Sequence, residues 1–195
     1  MNNKTIKSFF VITACFFISF CHAQNWDINL LENINPQHPN SFVWKTATNT
    51  TYPISVSIPV GMFVYSKISK DKNTEKKSYE LAGSIVIAGI AAEGTKIIFN
   101  RQRPYEKYNT INSNSAETGK SFPSAHAAIA FATATSLSIE YKKWYVVVPA
   151  YLWAAGVGYS RLYLGEHYPT DVLAGAVIGA GSAVISYWII KKVFK

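Results

Sequence analysis

The feature that most constrains the fold of this chain is a series of five apolar segments separated by short polar loops. The segments are rich in Ala, Val, Ile and Gly and cover approximately residues 52–66, 81–99, 124–139, 144–159 and 172–190. The last is an uncharged run of nineteen residues, close to the ~20 residues that a helix needs to cross a bilayer. Charged residues make up 15% of the chain, against roughly 25% in ordinary soluble domains. The sequence therefore predicts an all-α helical bundle with about five transmembrane helices.

The start of the chain has the pattern of an export signal. Two lysines precede an apolar run over residues 9–20, and the small Ala23 stands at the expected cleavage site. We expect residues 1–23 to be a signal peptide and residues 24–195 to form a single domain. The alternatives are an uncleaved first membrane helix and a lipid anchor at Cys21.

The segment after this signal is polar, with scattered apolar positions such as Trp26, Ile28 and Leu31. Their spacing predicts a short amphipathic helix before a turn region at residues 36–39. We expect this helix to lie on the membrane surface or to pack across the bundle.

The formal net charge of +8 comes from basic residues that are spread along the chain. Three lysine clusters, at residues 67–77, 142–143 and 191–195, each lie beside an apolar segment. A nucleic-acid-binding protein would concentrate its basic residues on one face, whereas cytoplasmic loops of membrane proteins carry an excess of Lys and Arg. The clusters therefore predict three cytoplasmic regions, and no nucleic-acid partner is expected.

Alternation of the five segments across a bilayer puts the loops 100–123 and 160–171 on the opposite, external side. These loops nevertheless contain cations: Arg101, Arg103, Lys107, Lys120 and Arg161. Such cations violate the usual charge rule for external loops unless they serve another purpose. An anionic ligand would account for them.

Three short motifs lie at the expected external ends of the helices. The first is Lys96, six residues, then Arg103; the second is Pro-Ser-Ala-His at 123–126; the third is Ser-Arg, five residues, His, three residues, Asp at 160–171. Singly, each has an ordinary structural explanation: interfacial cations, a helix N-cap, or a pair of residues one helical turn apart. Together they offer cations, a hydroxyl, two imidazoles and a carboxylate, a set that suits an anionic ligand.

In order and spacing, these motifs resemble the signature of the type-2 phosphatidic-acid phosphatase and vanadium haloperoxidase superfamily. The similarity covers roughly residues 93–179, including Phe-Pro-Ser-Ala-His at 122–126 and Tyr-Ser-Arg-Leu-Tyr-Leu-Gly-Glu-His-Tyr-Pro-Thr-Asp at 159–171. One departure is Ala125, where the family usually has glycine. Alanine keeps the backbone N–H but restricts the backbone and adds a methyl group, which predicts a narrowed phosphate site.

The resemblance implies a phosphatase with His167 as nucleophile and a phosphohistidine intermediate. Asp171, one helical turn after His167, is placed to accept the proton of its Nδ1. His126 is then the general acid for the leaving group and the general base for the water that attacks the intermediate.

The resemblance assigns phosphate binding to five residues: Lys96, Arg103, Ser124, Ala125 and Arg161. Charge in phosphoryl transfer spreads over the equatorial oxygens, so forked arginine donors, a lysine and a helix N-terminus suit the task. Two further residues, Glu93 and Arg101, are possible auxiliary residues of the site. Glu93 either orients Lys96 or is an interfacial carboxylate, and Arg101 contacts either the substrate head group or the lipid surface.

No metal or other cofactor is expected, because these cations fill the role that magnesium plays in kinases. Both cysteines, Cys15 and Cys21, lie in the signal segment, so a thiol site is also excluded once that segment is removed. Vanadate in the same cradle, as in a haloperoxidase, ranks second because those relatives are generally much longer chains.

The sequence thus predicts an enzyme of the bacterial inner membrane whose site faces the periplasm. The expected partners are membrane lipids and a lipid phosphate substrate: undecaprenyl pyrophosphate, lipid A, phosphatidylglycerol phosphate or phosphatidic acid. The motifs do not choose among these, because they read the phosphate and not the lipid tail. A soluble periplasmic acid phosphatase and a non-catalytic membrane component are the rival hypotheses.

Overall fold

The computed structural model describes residues 26–114 and 117–194, and in these residues the chain forms helices without any strand. The helices are α1 (residues 26–34), α2 (Phe42–Asn49), α3 (Thr51–Ser69), α4 (Lys72–Phe99), α5 (Pro104–Lys107), α6 (Ala125–Tyr141), α7 (Trp144–Tyr163) and α8 (Pro169–Val193). The expected all-α bundle is therefore confirmed. The expected signal peptide lies outside the described residues.

Each of the five apolar segments forms the main part of one long helix, namely α3, α4, α6, α7 or α8. Helix α4 begins well before its apolar segment. The side chain of Asp71 accepts hydrogen bonds from the backbone N–H groups of Asn73 and Thr74 and so caps the helix. Lys70, just before this cap, adopts a left-handed conformation that ends α3. The turn between the two helices is consequently short.

Helix α6 lies at the centre of the bundle and packs against α3, α4, α7 and α8. Its inward face is built from buried alanines, and α8 approaches it through glycines. A Cβ atom at Gly179 would lie 2.2 Å from the carbonyl oxygen of Ala128, and one at Gly175 would lie 2.5 Å from that of Ser124. The two helices therefore pack at backbone distance, as small residues permit in a membrane bundle.

Many large apolar side chains of the long helices point away from the bundle. Many are more than half exposed, including Ile68, Ile90, Ile97, Leu152, Val177 and Trp188. The interior instead holds small and hydroxyl side chains, with Ser55 bonded to Thr133 at 2.9 Å and Ser84 to Ser136 at 2.8 Å. A water-soluble domain rarely exposes so much contiguous apolar surface. This distribution supports a membrane location.

Two stretches of the described residues are long and apolar enough to cross a bilayer, Lys72–Lys107 and Pro169–Val193. The expected number of five membrane helices therefore stays a prediction. The lysine-rich ends gather at one end of the bundle: Lys77 pairs with Glu140 at 3.7 Å, and the ring of Tyr79 stacks on Phe194. The three motifs lie at the other ends of these helices.

Helix α1 confirms the amphipathic helix that was expected after the signal segment. Its Ile28 and Leu31 are buried in a cluster with Ile111, Leu162 and Tyr168. This helix consequently packs on the loops that carry the motifs and helps to hold their shape.

Candidate active site

Two buried arginines define the centre of the motif-bearing end. Arg103 follows α4, and Arg161 lies in the last turn of α7; each is about 2% exposed or less. The Nε of Arg103 donates to the carbonyl of Gly119 at 3.1 Å, and one NH of Arg161 donates to the hydroxyl of Thr48 at 2.6 Å. These bonds fix both guanidinium groups in place.

Both guanidinium groups converge on one carboxylate. Oε2 of Glu117 lies 2.7 Å from NH2 of Arg161 and 3.1 Å from NH1 of Arg103. The Nε of Arg161 is buried and has no hydrogen-bond partner among the described residues. A buried donor left unpaired costs about 1–3 kcal/mol, so an anion with several oxygen atoms suits this cradle better than one carboxylate.

A second acid supports the arginines from the protein interior. Glu166 is fully buried, and its Oε2 accepts a hydrogen bond from NH1 of Arg103 at 2.9 Å and lies 4.0 Å from NH2 of Arg161. Its Oε1 accepts from the hydroxyl of Ser113 at 2.5 Å. The carboxylate is thus held rigidly and offsets part of the buried positive charge.

Lys96 lies near the end of α4, with its side chain 16% exposed. Its Nζ pairs with Oε1 of Glu93 at 2.8 Å, one of the two arrangements weighed for that glutamate. A cavity of about 560 Å³ opens beside this pair and is also lined by Gly119 and Lys120. Thr118 and Gly119, whose carbonyls accept hydrogen bonds from Arg103, both line this cavity.

His167 lies in the loop between α7 and α8 and is 1% exposed. Its Nδ1 is 2.7 Å from the carbonyl oxygen of Ser121, and because a carbonyl can only accept, Nδ1 carries the proton. Nε2 is then the nitrogen with a free lone pair. Burial lowers the pKa of His167 to about 4, with Asp171 opposing and Arg161 adding to the shift. The ring is consequently neutral at pH 7.

Asp171 lies in the first turn of α8, and its Oδ2 is 3.6 Å from Nδ1 of His167. That distance is longer than a hydrogen bond. In this structure the Nδ1–H of His167 therefore donates to the carbonyl of Ser121 and not to Asp171, which was expected to accept it. The carboxylate instead accepts from the hydroxyl of Ser121, from the backbone N–H of Tyr168 and from Arg101. Asp171 therefore connects the segments around His167, and its negative charge lies close to the imidazole ring.

The start of α6 supplies the second motif. The Ser124 hydroxyl caps the helix by accepting from the N–H of Ala127 at 3.4 Å, and Ala125, 7% exposed, is the first helical residue. Nδ1 of His126 lies 3.9 Å from Oε1 of Glu117, and its ring packs against that of Tyr52 at 4.9 Å. His126 thus faces the same carboxylate as the two arginines.

Arg101 lies outside this cradle. Its guanidinium donates to Asp27 at 2.7 Å and to Asp171 at 2.6 Å, and it stacks 3.7 Å above the ring of Tyr168. Asp27 also accepts from the backbone N–H of Thr170 at 2.9 Å. Arg101 therefore joins α1 to the start of α8. Its contact with either the substrate head group or the lipid surface stays a prediction.

Four residues of this region carried no expectation from the sequence: Asp27, Glu117, Ser121 and Glu166. A signal was available for Glu166, which stands directly before His167 inside the third motif. Glu117 and Asp27 lie in no motif, and the Ser121 carbonyl is a backbone group. Among the described residues, no group of three His, Cys, Asp or Glu side chains is arranged to hold a metal ion.

The family model of the PAP2 superfamily matches residues 78–195. The chain is 34% identical over 119 residues to an undecaprenyl-diphosphatase of Sulfolobus acidocaldarius, covering 60% of this chain and 57% of that protein. It is 32% identical over 146 residues to a lipid A 1-phosphatase of Porphyromonas gingivalis, covering 73% of this chain and 30% of that protein. The chain thus spans less than two thirds of the length of these relatives.

Solved structures share the fold over most of their length. The crystal structure of Aquifex aeolicus LpxE has a TM-score of 0.69 at 28% identity and covers 83% of this chain and 94% of that one. A transmembrane PAP2-type phosphatidylglycerolphosphate phosphatase from Bacillus subtilis has a TM-score of 0.68 over 97% of this chain and 96% of that one. At 23% identity, the second likeness concerns the fold alone.

Proposed function

Because this chain belongs to the PAP2 superfamily, we propose that it is a membrane phosphatase that hydrolyses lipid phosphate monoesters or pyrophosphates through a phosphohistidine intermediate. The observation that carries the proposal is the convergence of Arg103, Arg161 and His126 on one anion position, beside a neutral His167.

The substrate phosphate takes the position between the two arginines. Its oxygens accept from the guanidinium groups, including the unpaired Nε of Arg161. Lys96 and the Ser124 hydroxyl donate from the ends of α4 and α6, and the N–H of Ala125 adds the partial positive charge of a helix start. These groups stabilise the charge that spreads over the oxygens in the transition state.

The free lone pair on Nε2 of His167 attacks the phosphorus atom. A P–N bond forms as the P–O bond to the lipid breaks, and His126 donates a proton to the departing oxygen. The imidazole becomes positively charged in this step, and the Asp171 carboxylate 3.6 Å from Nδ1 stabilises that charge.

Water completes the cycle. His126, now unprotonated, takes a proton from a water molecule that attacks the phosphohistidine. The P–N bond breaks, inorganic phosphate is released, and His167 returns to its neutral form. The cations of this chain supply the charge stabilisation in both steps, so the mechanism uses no metal.

The exposed apolar helix surfaces favour a membrane enzyme over a soluble acid phosphatase of the same superfamily. We place the protein in the bacterial inner membrane with the cradle facing the periplasm, because the lysine clusters lie at the opposite end of the helices. Undecaprenyl pyrophosphate, lipid A, phosphatidylglycerol phosphate and phosphatidic acid remain the candidate substrates.

The test is phosphate release by purified protein in detergent with EDTA, across a panel of these four lipids. Wild-type protein should release phosphate, and His167→Asn should lose roughly a thousandfold or more in kcat. Loss of wild-type activity in EDTA would contradict the metal-independent mechanism. Full activity of His167→Asn on every lipid would contradict the role of His167 as nucleophile.

A further inference from the structure

The carboxylate of Glu117 stands where the substrate phosphate is proposed to bind. It lies 2.7 Å from Arg161, 3.1 Å from Arg103 and 3.9 Å from His126. We propose that Glu117 is an internal competing anion: substrate phosphate displaces its carboxylate from the arginines, and the carboxylate returns to displace the inorganic phosphate product. This inference rests on the proposed phosphatase function.

Of the two acids that touch both arginines, Glu117 is the one that can leave. Its side chain is 31% exposed, whereas the side chain of Glu166 is fully buried and also bonded to Ser113. Moving Glu166 would strip a buried pair of its partner, at a cost that usually exceeds that of releasing a partly exposed carboxylate. Glu117 is therefore the carboxylate that other anions can displace from the two arginines.

The backbone next to Glu117 keeps the carboxylate close after it leaves. The carbonyls of Thr118 and Gly119 accept hydrogen bonds from the guanidinium of Arg103, at 3.4 and 3.1 Å. A tethered group of this kind competes at an effective concentration of about a millimolar or more. A displaced carboxylate can consequently return by local rearrangement of its side chain.

Glu117 also keeps its charge at neutral pH. Burial by itself would raise its pKa, but the positive charges of Arg161 and Arg103 and the nearby His126 outweigh burial and leave the pKa lowered. The competitor in the cradle is therefore a permanent monoanion under ordinary conditions.

Substrate phosphate replaces the Glu117 carboxylate at the arginines because a phosphate monoester carries a charge of about −1.5 to −2 at pH 7 and has three acceptor oxygens. After hydrolysis, the product has lost the lipid that held it at the membrane. The returning carboxylate then weakens the hold of the arginines on inorganic phosphate. Competition by Glu117 weakens the binding of both substrate and inorganic phosphate. It therefore raises KM for the substrate and shortens the lifetime of the complex with the product.

The test compares wild-type protein, Glu117→Gln and the control Glu32→Gln. Glu32 is an exposed carboxylate on α1, so this control makes the same charge change outside the cradle. Binding of inorganic phosphate is measured by calorimetry in detergent, and KM and the inhibition constant for inorganic phosphate are measured with a lipid phosphate. Glu117→Gln should bind inorganic phosphate roughly three to ten times more tightly and lower KM by a similar factor.

Unchanged or weaker phosphate binding by a folded Glu117→Gln protein would overturn the inference. Glu117→Asp, which keeps the charge, should give values between wild type and Glu117→Gln, whereas a value outside that interval would count against competition. If wild-type protein binds inorganic phosphate but hydrolyses no lipid phosphate, the proposed function fails while the calorimetric comparison still decides the role of Glu117.

Discussion

At the scale of single residues, the carboxylate of Glu166 explains how two guanidinium groups share one end of the bundle. Arg103 and Arg161 are both buried, and their charges repel each other. Glu166 contacts both from the interior, leaving their remaining N–H groups for a ligand. A fixed acid behind the cations is thus part of the proposed phosphate cradle.

Replacing this acid should weaken phosphate binding through the arginines. In Glu166→Gln the uncharged amide cannot offset the paired guanidiniums, so we expect KM for a lipid phosphate to rise by about tenfold or more, equivalent to ~1.4 kcal/mol. Glu166→Asp, which keeps the charge on a shorter side chain, should recover part of that loss. Steady-state kinetics of the three proteins provides the measurement, and an unchanged KM in Glu166→Gln would contradict this role.

The ring of His167 gives a second prediction at this scale. Its pKa is lowered to about 4 in the folded protein, whereas an unperturbed histidine has a pKa of about 6.5. NMR titration of the ring, assigned by its absence in His167→Asn, should show a midpoint near 4. The unfolded chain binds this proton at higher pH than the folded chain, so the contribution of His167 to stability is full above about 6.5 and is lost as the pH falls toward 4. A midpoint near 6.5 would contradict the buried, neutral nucleophile.

At the scale of helices, the contact of α8 with α6 decides whether the second and third motifs meet. The carbonyl of Asp171 in α8 accepts from the backbone N–H of Ser124 at 3.0 Å, just where α6 begins. Glycines hold the two axes close enough for this bond. Helix spacing and site geometry are therefore coupled.

Two glycines of α8 offer a matched test of that coupling. A Cβ at Gly179 would meet backbone atoms of α6, whereas a Cβ at Gly181 would meet nothing within 4 Å. Gly179→Ala should therefore lower the unfolding free energy by about 1–3 kcal/mol and reduce activity. Gly181→Ala should be neutral or slightly stabilising, because alanine is the better helix former. Thermal unfolding in detergent checks both, and equal stability of the two variants would show that α6 and α8 are not in backbone contact.

At the scale of the whole molecule, polarity is distributed as in a membrane bundle, with large apolar side chains outside and small or hydroxyl side chains inside. The same architecture separates its ends by charge and chemistry. Lysine clusters lie at one end, and the two buried arginines, His126 and the buried His167 lie at the other. If the lysine-rich end is cytoplasmic, as the charge rule for membrane proteins predicts, the cradle lies on the external side.

Orientation can be read with single cysteines at the two ends. Lys107 and Lys143 are exposed, at the motif end and at the opposite end. Each cysteine is introduced into a variant of this protein without its native cysteines, and the variant is expressed in cells. Lys107→Cys should then react with a membrane-impermeant maleimide from the periplasmic side. Lys143→Cys should react only after the inner membrane is permeabilised. The reverse labelling pattern would contradict a periplasmic site.

Particular residues show how far the sequence predicts the site. The structure gathers the residues of the three motifs at one end of the bundle. They are Lys96, Arg103, Ser124, His126, Arg161, His167 and Asp171. The five apolar segments likewise predict the five long helices. Each prediction works because its signal is local: a fixed spacing within a short stretch of the chain, or a run of apolar residues.

Other features depend on contacts between residues far apart in the chain, and only the tertiary structure decided them. Glu117 meets Arg161, Asp27 meets Arg101, and the Ser121 carbonyl accepts a hydrogen bond from Nδ1 of His167. Long-range ion pairs and backbone acceptors leave no periodicity or spacing by which sequence alone would reveal them. The sequence by itself thus determined the helices and the chemical groups of the cradle, whereas folding decided which carboxylate faces each cation and which oxygen holds His167.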